Sequence, residues 1–495
     1  MKILVYISRI FVGALFIVSG LIKANDTLGF SYKLEEYFEN GALAFRIRNW
    51  FGWDSFSLEF LTEYALALAI IMCAAEIILG FSILFGTKIK FTVYSLLGLT
   101  TLFFFLTLHT WQCDPLGTYN EVTTIEHLSP AHDALLVKME TNSKITIVEE
   151  NTLEKTLTYQ EAMPVQCVTD CGCFGDAMKG SLGRPMKPFE SWLKDVILML
   201  FLIPIYLFRN KIKVNVLRED LIIGTSAFVF IGFLSWVFNW YFPMVFFAMG
   251  YLGYYATKRM LFNTYLRCLP ILVVTVITAI IIIDTLSHLP IKDYRAYAVG
   301  KSIPEQMVLP EGAVESVYEN LFYYKNKTTG VVEEFSETNY PWDDDNYEFS
   351  DRKTKLISQG DVAAITDFTM VADDGNDYAS DFFNEEGYIF MFVAYDIKKT
   401  KEKNMPKMNT FVENCNANGN YVVGLTASLY NEVEEFRHEN QTMFEFYNCD
   451  AITLKTIVRA NPGIVLMKKG QILAKWNLSD LPDYKEVEQE YLNKQ

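Results

Sequence analysis

The chain has 495 residues, a net charge of −16 and a composition that is 51% hydrophobic, with a positive mean hydropathy. That length allows several domains. The acidity argues against a nucleic-acid partner, because phosphate recognition needs a basic surface, and against docking on anionic lipid headgroups.

The averages conceal two unlike halves. Residues 1–286 are dominated by apolar runs. Residues 287–495 hold 21 Lys and Arg against 35 Asp and Glu, so 21 − 35 = −14 of the net −16 lies there.

A membrane helix needs about 20 mostly apolar residues. Candidate spans are 3–24, 61–85, 91–111, 189–208, 221–238, 241–256 and 266–286. Asn239-Trp240 and Pro243 suggest a tight hairpin between the fifth and sixth; a single kinked helix over 221–256 is the alternative. The first stretch has Lys2 and Arg9 ahead of an apolar core, as in a signal peptide. No small-x-small cleavage site follows, so a retained helix is expected.

Basic residues in short loops set orientation. Lys88 and Lys90, then Arg209, Lys211, Lys213 and Arg218, then Lys258, Arg259 and Arg267 fall on one face if there are seven spans. That face is the cytoplasmic one, and the N-terminus shares it. The cysteine-bearing loop and the acidic half then lie on the other side. With six spans the acidic half would be cytoplasmic.

Glu76 sits in the middle of the second span, and Lys23 and Asp26 lie at the outer end of the first. A charge in lipid costs about 3 kcal/mol or more, so Glu76 faces the bundle or is protonated. It is a candidate proton or quinone contact. The plainer reading is a helix-packing hydrogen bond or a pair with Lys23.

Cys113, Cys167, Cys171 and Cys173 share the loop between the third and fourth spans, whereas Cys73 and Cys268 lie inside apolar runs as small buried hydrophobes. Three readings of the loop compete. One is a redox pair that exchanges with a partner's thiols, with a quinone as electron sink. Another is a pair of structural disulfides. The third is a four-cysteine zinc site, which the Cys-x-x-x-Cys-x-Cys spacing fits poorly, so no metal is expected. His109 lies four residues before Cys113; an imidazolium there would favour a thiolate.

The residues Gly13, Phe16, Ser19-Gly20, Lys23, Asp26, Gly29, Lys33 and Tyr37-Phe38, then Glu76, Gly80 and Gly86, then Cys171-Gly172-Cys173-Phe174-Gly175-Asp176 form a pattern. It resembles the DoxX/MauE-like membrane proteins, four-helix bundles related to the methylamine-utilisation protein MauE. The resemblance covers about residues 1–208, with the cysteine-bearing loop at 112–188. It implies a role in disulfide processing or maturation of exported proteins beside a thioredoxin-like partner, with Cys171 and Cys173 as the redox pair. Cys113 and Cys167 look like an elaboration of the family pattern. Residues 209–286 would be additional membrane helices. Within the loop, 134–139 and 144–149 alternate around Thr-Asn-Ser, a hairpin signal.

Residues 287–380 read as an extended exit with Pro290 and Pro304, then a small β-rich region whose hairpin joins 321–324 to 331–335. From Tyr388 strands and helices alternate in the order βαβαβαββα over 381–495. Asn461-Pro462-Gly463 precedes the last hairpin. This order resembles a thioredoxin fold with a cis-proline at Pro462, which would hold a client. The family's paired cysteines should follow the first strand at a helix N-terminus. Residues 396–405 contain none, so ordinary dithiol exchange is not expected of this domain. Cys415 and Cys449 could be joined or remain two inert thiols.

The expected architecture is a mainly α polytopic membrane bundle of about seven spans plus a C-terminal α/β thioredoxin-like domain. The expected role is thiol–disulfide processing of a periplasmic or exported protein client through Cys171 and Cys173, from the inner membrane of a bacterium. The rival is a non-catalytic envelope scaffold whose acidic domain binds a protein partner.

Overall fold

The computed structural model describes residues 2–53, 55–114, 117–125, 145–151, 156–168, 172, 174–184, 186–260, 269–309, 312–314, 317–358, 360 and 362–493. Two compact units are present, Met1–Arg295 and Ala296–Gln495.

The first unit is built around α1 (Lys2–Asn25), which packs along α4 (Ala65–Phe85), α7 (Pro188–Phe208) and α8 (Leu217–Val237). Between α1 and α4 come α2 (Thr27–Phe38) and the short α3 (Phe45–Phe51). Helix α5 (Ile89–Gln112) lies against α7, and the short α6 (Gly175–Leu182) comes just before α7. Among the described residues, five helices are long and apolar enough to cross a membrane: Lys2–Asn25, Glu59–Phe85, Ile89–Gln112, Pro188–Phe208 and Leu217–Val237. By length and hydropathy this is a multi-pass membrane protein.

Helices α9 (Phe242–Met260) and α10 (Leu269–Ser287) follow; the described apolar stretch of α10, Ile271–Ser287, is shorter than a full span. Helices α8 and α9 are separate elements. Asn239 turns the chain between them in the left-handed region, at φ 47°. Among the described residues, five of the seven expected stretches meet the length and hydropathy of a span.

Close approach of α1 and α4 depends on small residues, since lipid supplies no hydrophobic drive between helices. A Cβ on Gly13 would lie 3.0 Å from the Gly80 carbonyl oxygen, and one on Gly80 would lie 2.9 Å from that of Gly13. Arg9 is buried and not a signal-type surface charge. Its Nε donates to the Ile83 oxygen and its Nη2 to the Leu84 oxygen, both at 2.9 Å. It thereby satisfies carbonyls that the end of α4 leaves unpaired.

The two ends of this unit differ. At one end Arg9 meets the start of α8, where its Nη2 donates to Asn215 Oδ1 at 2.7 Å, and Lys258 donates to the Asn215 oxygen at 2.6 Å. At the other end Thr285 Oγ1 donates to the Ala24 oxygen at 2.8 Å, and Tyr294 OH to the Phe238 oxygen at 3.1 Å. Phe174 of the cysteine-bearing loop stacks on Phe238 at that same end.

That loop also forms a three-stranded sheet of β1 (Thr118–Ile125), β2 (Ile145–Asn151) and β3 (Thr156–Pro164), in the order β1-β3-β2. Strand β2 pairs with β3, Ile147 opposite Tyr159. The expected partner at 134–139 lies outside the described residues.

In the second unit β4 (Val317–Asn326), β5 (Val332–Ser336) and β6 (Tyr347–Ser358) form an antiparallel sheet, order β5-β4-β6. The β4–β5 hairpin is the expected one. Strand β6 escapes sequence reading because Asp351-Arg352-Lys353 carries no apolar alternation.

The elements that follow are β7 (Tyr388–Ala394), α11 (Met405–Ala417), β8 (Tyr421–Thr426), α12 (Tyr430–Asn440), β9 (Phe446–Asn448), α13 (Ala451–Ile457), β10 (Gly463–Lys468) and β11 (Gln471–Asn477). The chain closes with α14 (Tyr484–Val487). The sheet order is β11-β10-β7-β8-β9, with β7–β8 and β8–β9 parallel and β7–β10 and β10–β11 antiparallel. This is the strand order of a thioredoxin fold.

Its β7 is a buried run, as expected of a strand covered on both faces. Phe390 and Phe392 pack with Met408, Phe411, Val412, Ile464 and Leu466. The residues ahead of β7 extend both edges of the sheet. Ser302 bridges to Gln471, and Val371 to Asn448. Both bridging segments belong to the second unit, Ala296–Gln495.

Candidate functional site

In the membrane unit the polar residues of four helices converge. Lys23 of α1 pairs with Glu76 of α4, and both side chains are fully enclosed. Lys23 Nζ also donates to Ser19 Oγ at 3.3 Å and sits 4.0 Å from the ring centroid of Phe103 on α5. An ammonium over an aromatic face is attracted by the ring quadrupole, the more so when desolvated. On α7, Lys194 Nζ lies 2.7 Å from Asp195 Oδ1, and Thr107 of α5 donates to Asp195 Oδ2 at 3.0 Å. The arrangement follows the rule that intramembrane charges are paired and face the bundle.

A cavity of about 20 Å³ lies among these groups, lined by Ser19, Lys23, Glu76, Thr100, Phe174 and Asp195 with apolar neighbours. Glu76 Oε2 and Thr100 Oγ1 are buried and have no hydrogen-bond partner among the described residues. The volume and the two open polar atoms suit a buried water.

Phe174 ties this cavity to the cysteine-bearing loop. Cys171 and Cys173 lie outside the described residues. The described residues beside them are Gly172, where an added Cβ would meet Phe30 and Lys33 of α2, and Phe174, which forms part of the cavity wall. Gly172 has φ 64°, a backbone that L side chains rarely adopt.

Cys113 and Cys167 form a disulfide that closes the loop at its base. His109 is buried beside Tyr37, with ring centroids 6.2 Å apart. With Cys113 in a disulfide, no thiol stands there for His109 to ionise. Cys73 is a buried free cysteine, as expected, and Cys268 lies outside the described residues.

Sequence reasoning brings forward Lys23 and Glu76 but misses Thr100, Thr107, Lys194 and Asp195. A signal for the threonines was present. Thr100, Phe103 and Thr107 recur at helical spacing on one face of α5.

In the second unit the Asn461–Pro462 peptide is cis. Asn461 Nδ2 donates to the Asp396 oxygen at 2.7 Å, so the proline loop abuts the segment that follows β7. A thioredoxin carries its cysteines in that segment. Here Asp396 accepts from the Lys399 amide, and the Ile397 amide donates to Ser428 Oγ at 3.0 Å.

No disulfide joins Cys415 to Cys449. Both are free and buried, and burial pushes each thiol up to about 12. Neither yields the thiolate that exchange requires at neutral pH.

A family model described as a domain of unknown function (DUF8463) matches residues 318–359, which is the β4–β6 meander. No curated protein matches the chain. Two solved structures are similar to part of it. One is a thiol:disulfide interchange protein from Bacteroides sp., at 16% identity, covering 26% of this chain and 88% of that one, with a TM-score of 0.22. The other is the thioredoxin domain of a thiol-disulfide oxidoreductase from Bacteroides vulgatus, at 17% identity, covering 24% and 90%, with a TM-score of 0.21. The thioredoxin-like assignment of the C-terminal region rests on its strand order and registers.

Proposed function

We propose that this is a membrane protein of thiol–disulfide processing, in which Cys171 and Cys173 exchange with the thiols of an exported protein client. The observation that carries the reading is the position of Phe174. The residue next to Cys173 lines the cavity beside the Lys23–Glu76 pair. The Cys113–Cys167 disulfide supports it by leaving Cys171 and Cys173 as the remaining cysteines of the loop. Cys-Gly-Cys in this order, with the glycine and lysine pattern of α1, adds the resemblance to DoxX/MauE-like proteins.

In this reading the loop, and the second unit with it, lie on the periplasmic side of a bacterial inner membrane. Tyr294 packs at the same end of the bundle as Phe174, and the basic residues Arg9 and Lys258 cluster at the opposite end; both support that placement. The thioredoxin-like domain presents a client or partner near Pro462 and does not itself exchange thiols. A quinone is the candidate electron acceptor.

A second reading, a non-catalytic scaffold, is favoured by one observation. The described cysteines of the C-terminal domain are all buried. Trapping separates the two. Cys171→Ser and Cys173→Ser variants should each accumulate a mixed disulfide with a client through the remaining cysteine, visible as a reducible higher-mass species. Normal accumulation of both variants with no adduct, and unchanged client oxidation in cells, would favour the scaffold.

A further inference from the structure

Between α2 and α4 the chain exposes five large aromatic residues within fifteen positions: Trp50, Phe51, Trp53, Phe60 and Tyr64. Phe51 is 74% exposed and Trp50 41%. In water such a patch marks a binding surface, since monomeric soluble proteins rarely display contiguous apolar area of this kind.

The segment's arginines bond to the chain's own carbonyls, and the Arg46 guanidinium also lies over the Trp50 ring, 5.9 Å from its centroid. Arg46 Nη2 donates to the Gln112 oxygen at the end of α5, and Arg48 Nη2 to the Asn40 oxygen, each at 2.6 Å. Glu59 and Glu63 fall in the turn Glu59–Tyr64 that leads into α4. The exposed residues of α3 itself are Asn49, Trp50 and Phe51.

The depth of α3 follows from its contacts. Arg46 marks the level of Gln112, the last residue of α5. Trp50 meets Phe105 edge-on, with ring centroids 6.4 Å apart. Phe105 lies seven residues before Gln112, which is about 10 Å along a helix. Phe105 and Leu102 are exposed on the spanning part of α5, so the surface they share with Trp50 is the lipid-facing one. Trp111, Phe189 and Trp192 cluster at the same end, with centroids 4.7 Å apart for the tryptophans and 5.2 Å for Trp111 and Phe189.

We propose that α3, Trp53 and the turn Glu59–Tyr64 are immersed in the lipid interface at the cysteine-loop end of the bundle, with the aromatic side chains at the boundary of headgroups and acyl chains. Aromatic rings with one polar edge favour that boundary. The partner is the bilayer itself, engaged through apolar insertion rather than charge, which fits an acidic chain. The inference does not depend on the thiol chemistry.

The full chain in phosphatidylcholine vesicles tests it. Tryptophan emission is quenched with acyl-chain-brominated phosphatidylcholine and, separately, with aqueous acrylamide. The components due to single tryptophans are taken as differences from the W50F, W53F and W342F variants, which are conservative. Trp342, 73% exposed in the other unit, is the aqueous control. The Trp50 and Trp53 components should be quenched by the brominated lipid and shielded from acrylamide, with the reverse for Trp342. Quenching of Trp50 and Trp53 by acrylamide as strong as that of Trp342, or protection from both quenchers, would overturn the proposal, because water or a protein partner would then cover the face.

Discussion

Lys23 and Glu76 form an ion pair between α1 and α4 with both side chains withdrawn from solvent and lipid. Their pairing offsets the cost of placing each charge inside the bundle. Removing one partner leaves the other buried and uncompensated, which costs about 3–5 kcal/mol. Glu76→Ala and Lys23→Ala should each lower the unfolding temperature of the detergent-solubilised protein markedly. The double variant Lys23→Met/Glu76→Met should recover most of the loss. A double variant as unstable as the sum of the two singles would mean that the residues act independently.

The facing glycines of α1 and α4 make a second prediction. A side chain on Gly80 meets Ile17 Cγ1 at 2.7 Å and the Gly13 oxygen at 2.9 Å. The flexible Ile17 can move but the backbone cannot, so Gly80→Val should force the helices apart. Overpacking of this kind costs about 1–3 kcal/mol. A position with room supplies the control, since a Cβ on Gly98 meets nothing within 4 Å. Gly98→Ala should leave thermal stability unchanged or slightly raised, through helix propensity.

The thiols of the thioredoxin-like domain define a pH dependence. Burial raises Cys415 and Cys449 from 9.0 to about 12 in the folded state. The folded state therefore holds protons that the unfolded state releases above pH 9, and stability falls as the pH rises from about 9 to about 12. Below pH 9 both states keep the proton and this contribution is constant. Cys415→Ala/Cys449→Ala should flatten the stability profile over that window. Maleimide should label neither thiol at pH 7 until denaturant is added; rapid labelling of the native protein would contradict their burial.

The C-terminal domain was legible because its strands and helices announce themselves locally. Val422, Val423 and Leu425 make β8 a buried run, and the Lys469-Gly470 turn closes the β10–β11 hairpin. The three-stranded sheet of the cysteine-bearing loop was only half legible. The strand at 145–151 carries alternation, but the pairing of β1 with β3, Thr118 opposite Pro164, joins residues far apart in the chain. In the bundle, Lys23 and Glu76 were conspicuous as charges in apolar runs. Asp195 was not, because it lies near the polar start of α7, where an acid is ordinary.

The order of hydrophobic runs and turns determined by itself that there are two unlike halves, where the long apolar helices of the first fall, and that the second follows βαβαβαββα. Such features depend on the period of side chains along one element. The tertiary structure alone decided which cysteine bonds to which, that Arg9 caps α4, and that Lys23, Glu76, Thr100, Phe174 and Asp195 share one cavity. Those relations join residues up to about 170 positions apart. No local propensity encodes them; they follow from the close packing of whole helices, in which a side chain's partner depends on how deep and at what rotation its neighbour sits.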